Sequence, residues 1–440
     1  VLPPEHPSRA AAFRYWLKLG FISFGGPAGQ ISLMHQELVE RRRWISERRF
    51  LHALNYTMLL PGPEAQQLAT YIGWLMHGTW GGIVAGTLFV LPSLGLLMLL
   101  AWGYLVFGQL PAVAGILYGI KPAVVAIVLF AGYRIGSRTL RNPLLWSLAL
   151  GAFVAIAVFS VPFPALVMSA LLIGSLLRHR LPAGFTPTTA HGGQPGLGSA
   201  VIGDDTPPPA HARFSGPRLM GLAATGLALW LALMLVLVQH HGWQGTFTQM
   251  GWFFSKAALV TFGGAYAVLP YVVQNAVEGY QWLTAQQMID GLALGETTPG
   301  PLIMIVAFVG FLGGWNQAAL GPDWLWAAGV MGALVATFFT FLPSFLFILV
   351  GGPLVEATRH DLKFTAPLTA VTAAVVGVIA HLAVFLALHV LWPKGWAAGF
   401  EWPAAVLAAM ALLALYRQSH MVAVIAACGG AGLIYTVGFG

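Results

Sequence analysis

Charge is what this sequence has least of. Of its 440 residues only 8% are Asp, Glu, Lys or Arg, and 58% are hydrophobic. An ordinary soluble domain carries about 25% charged residues. With a mean hydropathy of +0.77, that class is excluded and an integral membrane protein is left. Cysteine is nearly absent as well: Cys428, alone in an apolar segment, excludes an internal disulfide and says little about compartment. The stretch from Val1 to Lys18 lacks the apolar core of a cleavable signal peptide, so none is expected. There is no His-Glu-x-x-His, and the 13 His are scattered, with only His381 and His389 two turns apart on one expected helix. Enzyme chemistry, a metal site and a cofactor are therefore not expected. Lys and Arg number 21 against 14 acidic residues. In a membrane chain that surplus first sets orientation, and nucleic acid is not an expected partner.

Long apolar runs are present in its place. Leu219 to Val238 is an uncharged stretch of 20 residues and Gly81 to Phe107 one of 27, each able to cross roughly 30 Å of hydrocarbon. Further full spans are expected at Ala112 to Tyr133, Leu144 to Ser160 and Phe163 to Leu177. Ser46 to Leu60 and Glu64 to His77 are shorter, at about 1.5 Å per residue too short to cross alone. Arg178 to Pro217, rich in Gly, Pro and Thr, reads as a flexible linker.

The two short helices meet at Pro61-Gly62-Pro63, and the same device returns as Pro299-Gly300-Pro301, 238 residues later. Pro63 and Pro301 suit a first helical turn, while Pro61 and Pro299 stop the helix before. At the same offset Lys18 matches Lys256, Phe24-Gly25-Gly26 matches Phe262-Gly263-Gly264, and Trp44 matches Trp282. Leu91-Pro92-Ser93 matches Leu342-Pro343-Ser344 at 251, which implies about 13 inserted residues near Asn316 to Trp326. The chain is an internal duplication with one extra span between the copies. Boundaries of 1–177, a cytoplasmic linker at 178–217, a connecting helix at 218–240, and 241–440 follow.

The distribution of Lys and Arg decides how the copies are oriented. If the first two segments of each copy are re-entrant, one side collects Arg9, Arg14, Arg41, Arg42, Arg43, Arg48, Arg49, Arg134, Arg138, Arg141, Arg178, Arg180, Arg213, Arg218, Arg359, Lys363 and Arg417. That is 17 against one, Lys394, with Lys18, Lys121 and Lys256 inside the membrane. Parallel copies give 13 against five. The positive-inside rule favours inversion. The expected fold is all-α and polytopic, two inverted homologous halves with broken, re-entrant helices and about nine full spans.

A helix broken within a bilayer leaves backbone N–H groups facing a cavity, where an anion is readily held. The run FGGPAGQISLMHQELVERRRWISERRFLHALNYTMLLPGPEAQQLATYIGWLMHG, with TFGGAYAVLPYV and GETTPGPLIMIVAFVGF, resembles the chromate ion transporter family in its long, two-halved form. The resemblance implies a multi-pass protein of the bacterial inner membrane that exports chromate and confers resistance to it. Transport of sulfate or another oxyanion, or an anion channel, stays open as the alternative. The expected partners are the oxyanion and the lipid bilayer, with a homodimer left open. A tetrahedral dianion would be met by Gly25, Gly26, Pro61, Gly62, Pro63, Glu64 and Gln67 in one half. Gly263, Gly264, Glu296, Thr298, Pro299, Gly300 and Pro301 would meet it from the other, with Lys18 and Lys256 as counter-charges and Lys121 as a further candidate. Glu64 reads equally as a helix-end carboxylate and as a proton carrier. Asp290 and Glu296 are not read as a dyad.

Overall fold

Polar side chains start the helices where the chain is polar, and Pro-Gly punctuation starts them where it is not. A computed structural model describes residues 5–24, 26–176, 200–204, 206, 207, 209–262, 264–357, 365–393, 395 and 399–439. In the first half these form α1 (Arg9–Ile22), α2 (Gly26–His35), α3 (Glu47–Leu59), α4 (Glu64–Phe107), α5 (Pro111–Thr139), α6 (Pro143–Ala157) and α7 (Phe163–Leu176). After the connecting α8 (Gly216–His241) come α9 (Thr246–Leu259), α10 (Ala265–Gln274), α11 (Ala285–Thr297), α12 (Ile305–Asn316), α13 (Leu325–Ala357), α14 (Thr365–Leu391), α15 (Trp402–Tyr416) and α16 (Met421–Phe439). Ser8, Ser46 and Asn142 cap α1, α3 and α6 through their side chains, and Thr284 with Gln287 forms a capping box on α11.

The duplication is repeated element by element. α1 to α3 correspond to α9 to α11, and even the π-helical turn after α2 (Gln36–Arg41) returns after α10 (Asn275–Gly279). The inserted residues separate α12 from α13, whereas the first half passes the same point inside α4 with only a non-helical kink at His77 and Gly78. α4 then continues through Pro92.

The packing shows that the copies are inverted. α5 lies against α15 and α16, and reciprocally α14 lies against α6 and α7, while α5 and α14 also pack on each other. A Cβ built on Gly132 would meet Ile379 and one on Gly136 would meet Val376, each at 3.3 Å, so α5 and α14 run antiparallel. Gly82 faces Leu349 and Gly86 faces Phe345 in the same sense between α4 and α13. Equivalent helices related by an axis along the membrane normal would be parallel; antiparallel ones require an axis in the membrane plane. Small residues make the tightest contacts possible: Gly310 and Gly314 of α12 lie on the backbone of Gly332 and Ala328 of α13.

Among the described residues six helices are long and apolar enough to cross a bilayer, and four shorter apolar helices accompany them. α6 and α15, with 15 residues each, measure about 22 to 23 Å, and α7 is described for 14 residues. The apolar window of α8 is 17% buried, so most of its surface is left for lipid. Packing also replaces free motion in the described part of the linker. Val201 and Ile202 donate backbone hydrogen bonds to Arg43 and Trp44, Arg49 donates to the Thr206 carbonyl, and Ile202 and Ala212 are buried against the first half. The charges expected at Arg178, Arg180, Arg359, Lys363 and Lys394 lie outside the described residues.

Candidate anion site between two helix breaks

Both Pro-Gly-Pro stretches fold alike. Leu60 and Thr298 leave their helices in extended conformation (φ −91°, ψ 149° and φ −93°, ψ 149°). Gly62 and Gly300 take φ +132° and +98°, which favours glycine. Each glycine then binds the other half. The Gly62 N–H donates to the Thr261 carbonyl at 2.7 Å, and the Gly300 N–H donates to the Ser23 carbonyl at 2.8 Å. Ser23 and Thr261 are themselves equivalent, at the ends of α1 and α9. The second landmark is used the same way: a Cβ on Gly62 would strike Ser344, and one on Gly300 would come within 2.8 Å of Ser93. The hydroxyls of Ser93 and Ser344 are buried and unpartnered in the protein.

Between the breaks lies a cavity of about 10 Å³, lined by Pro27, Gln30, Pro63, Glu64, Ala65, Gly264, Ala265, Pro301 and Leu302. It holds about one water. The lining residues are the first turns of α2, α4, α10 and the 3₁₀ turn Leu302–Met304 leading into α12. The lining thus draws on the starts of two helical elements from each half, where backbone N–H groups are left without an intrahelical partner and an anion is favoured. The Glu64 carboxylate points into the cavity, 3.8 Å from where a Cβ on Gly264 would stand. Gln30 closes one wall by donating to the Gly300 carbonyl at 2.6 Å and to the Ser23 carbonyl at 3.2 Å.

The structure gathers some of the expected residues and separates others. Pro63, Glu64, Gly264 and Pro301 line the cavity, and Gly26, at φ +70°, opens α2 beside it. Pro61, Gly62, Pro299 and Gly300 shape the breaks. Gln67 is a strut, its amide donating to the Pro61 carbonyl at 2.8 Å, and the Thr298 hydroxyl is turned back onto the Gly295 carbonyl. Glu296 is one step removed, buried and accepting a 3.0 Å hydrogen bond from Tyr266, the neighbour of Ala265. Gly25 and Gly263 lie outside the described residues. Lys18 and Lys256 do not line the cavity, contrary to the expectation that they face one site. Lys18 is exposed beside Arg14 and Arg42, and Lys256 sits over the Trp252 ring, 5.6 Å from its centroid. Helical spacing put both lysines on embedded helices without saying which way they turn. Gln30, Ser93 and Ser344 went unnoticed, although Ser93 and Ser344 belong to a repeated landmark.

Two ion pairs join the halves, one buried on both sides and one on its acidic side. Lys121 of α5 meets Asp290 of α11 at 3.0 Å, and Tyr104 of α4 donates to the other carboxylate oxygen at 3.0 Å. Arg49 of α3 stands 3.6 Å from Glu356 of α13, which accepts a 2.6 Å hydrogen bond from Tyr71. α3 and α11 are equivalent helices, so the pairs sit on opposite sides of the breaks. Among the described residues no three of His, Cys, Asp and Glu gather as a metal site.

Residues 10–175 and 248–433, the two halves, each match the family described as Chromate transporter. The chain belongs to the Chromate transporter family. It is 33% identical over 390 residues to a chromate transport protein of Pseudomonas aeruginosa, covering 88% of this chain and 82% of that one. To a chromate transport protein of Cupriavidus metallidurans it is 30% identical over 374 residues, 85% of this chain and 81% of the other. An uncharacterized transporter of Methanocaldococcus jannaschii is 24% identical over 96% of this chain and 93% of its own length. No solved structure matches the chain. Family and helix lengths together make it a multi-pass membrane transporter.

Proposed function

We propose that this transporter exports chromate from the cytoplasm across the inner membrane of a bacterium and so confers chromate resistance. The observation that carries the reading is one cavity lined by four helical starts, two from each half. A tetrahedral dianion needs several donors and positive potential from more than one direction, and backbone N–H groups supply both without desolvating a fixed cation. Pro63, Pro301, Gly264 and Gly26 are assigned to oxyanion binding, with the Ser93 and Ser344 hydroxyls as neutral ligands. Glu64 occupies the positive site when substrate is gone, so it must be protonated or swing aside as the dianion enters.

The cavity is far smaller than an oxyanion, which supports alternating access over an open channel. In this reading the halves, 1–177 and 241–440, part on one side at a time. The linker 178–217 is cytoplasmic and the helix 218–240 carries the chain across. Arg49–Glu356 then closes the cytoplasmic side and Lys121–Asp290 the periplasmic side. Chromate uptake into inverted membrane vesicles tests the reading, with sulfate as competitor and voltage and pH gradient collapsed separately. Voltage-sensitive chromate uptake is expected; uptake of sulfate alone would reassign the substrate.

A further inference from the structure

The outer end of α1 carries a second cavity, unrelated to the breaks. It measures about 280 Å³ and is lined by Ala11, Arg14, Tyr15, Lys18 and Arg42. Arg42 is held in place from two directions. Its guanidinium lies 5.1 Å from the Tyr15 ring and 5.3 Å from the Trp44 ring, and its Nε donates to Glu37 at 3.2 Å. Glu37 is also held by Arg41 at 2.7 Å. Tyr15, 4% exposed, lines the same cavity, and its hydroxyl is buried without a hydrogen-bond partner in the protein. Two exposed cations, Arg14 and Lys18, and a third, Arg42, anchored by Glu37 and two rings, border an open space beside a buried hydroxyl that lacks a partner, which describes an anion site and not a set of side chains merely reaching for water.

Two further observations name the anion. First, Arg14, Lys18, Phe21 and Ile22 follow helical spacing on one face of α1, and all four are exposed, Phe21 by 58% and Ile22 by 41%. Going from the outer end toward the break at Ser23, that face offers two cations and then two large apolar side chains. This is the order of a phosphate headgroup and its acyl chains. Secondly, the site exists in one half only. At the offset of 238, Arg14, Tyr15 and Arg42 become Trp252, Phe253 and Tyr280. The equivalent place on the opposite membrane face thus loses both arginines and the hydroxyl, and keeps Lys256 alone, over Trp252. A substrate route through an inverted repeat would need provision on both faces. A site for one leaflet would not, and anionic lipid is concentrated on the cytoplasmic side.

We infer that Arg14, Lys18, Arg42 and the Tyr15 hydroxyl form a binding site for the headgroup of an anionic phospholipid, with Phe21 and Ile22 against its chains. The test is native mass spectrometry of the full-length protein, titrated with phosphatidylglycerol or with phosphatidylcholine of the same chains. Bound phosphatidylglycerol should exceed bound phosphatidylcholine by about tenfold or more. Arg14→Gln with Lys18→Gln should abolish that preference, Arg14→Lys with Lys18→Arg should restore it, and Lys256→Gln should leave it intact. An undiminished preference in the double Gln variant overturns the assignment. So does displacement of the lipid by free glycerol phosphate or chromate as readily as by another lipid, which would make the cavity a station for soluble oxyanions. Since the readout is lipid binding, it stands or falls apart from chromate transport.

Discussion

Replacing Asp290 by Asn tests whether the ion pairs are gates. The Asp290 side chain is 4% exposed and Lys121 20%, with the charged atoms 3.0 Å apart. Removing one partner of a buried pair costs about 3 to 5 kcal/mol. Here the lower end, about 3 kcal/mol, is apt, because Lys121 keeps a route to water and Asn retains a partner for Tyr104. If the pair forms only in the closed arrangement of its side, that sum biases the two-state equilibrium and raises the open population roughly 150-fold. Ala65→Cys, at the cavity wall, reports the opening in a Cys428→Ser background. With Asp290→Asn its labelling by an impermeant thiol reagent should rise from the periplasmic side, and with Glu356→Gln from the cytoplasmic side. The reasoning fails if both variants label as the parent does while the melting temperature falls, for then the pairs hold the halves together and gate nothing. Opening on the same face in both variants would refute it equally.

Three other expectations concern the breaks and the frame. Gly62→Ala and Gly300→Ala should each lower stability by about 1 to 3 kcal/mol, read as a shift in thermal unfolding, because both positions have positive φ and no room for a Cβ. Pro63→Ala and Pro301→Ala, by relaxing the break, should reduce chromate flux with a smaller change in melting temperature. Single cysteines at Ser199 and Gln244 should label from opposite faces of the membrane, and labelling from one face would remove the inverted topology.

Proline and glycine carried most of what the sequence disclosed, because their constraints act locally and need no partner. The offset of 238 and the Pro-Gly-Pro pair foretold two matching breaks, and α3/α4 and α11/α12 have them. Hydrogen bonding between the halves was hidden, since Gly62 to Thr261 and Gly300 to Ser23 are backbone contacts on which side chains leave no mark. The ion pairs were hidden for another reason. Lys121 becomes Thr372 in the other copy and Arg49 becomes Gln287, so repetition points to neither pair, and Lys121 stood out only as a further candidate for the anion. Repetition misled in the case of Lys18 and Lys256, where a shared position on equivalent helices was taken for a shared target. One faces a basic cavity at the outer end of α1 and the other an indole ring.

The place of Glu64 bears on what drives export. An interior-negative potential favours outward movement of charge by about 2.3 kcal/mol per charge per 100 mV, so roughly 4.6 kcal/mol for a dianion, or about three decades of gradient. Voltage alone is therefore enough, provided that the protein does not cancel the charge it carries. A site made of helix ends satisfies that condition, since its positive potential comes from fixed dipoles that do not cross the membrane with the substrate. Glu64 is the group able to break it, by taking up one proton as the dianion enters and releasing it on the far side with the dianion, so that one of the two charges is cancelled. Glu64→Gln keeps the size of the side chain and removes the titration. In proteoliposomes with an imposed voltage and no pH gradient, chromate should move toward the positive side, and the Gln variant should retain part of that flux while losing its dependence on pH. Flux driven only by a pH gradient, and lost with Glu64→Gln, would make the protein a proton-coupled exchanger with Glu64 as its carrier.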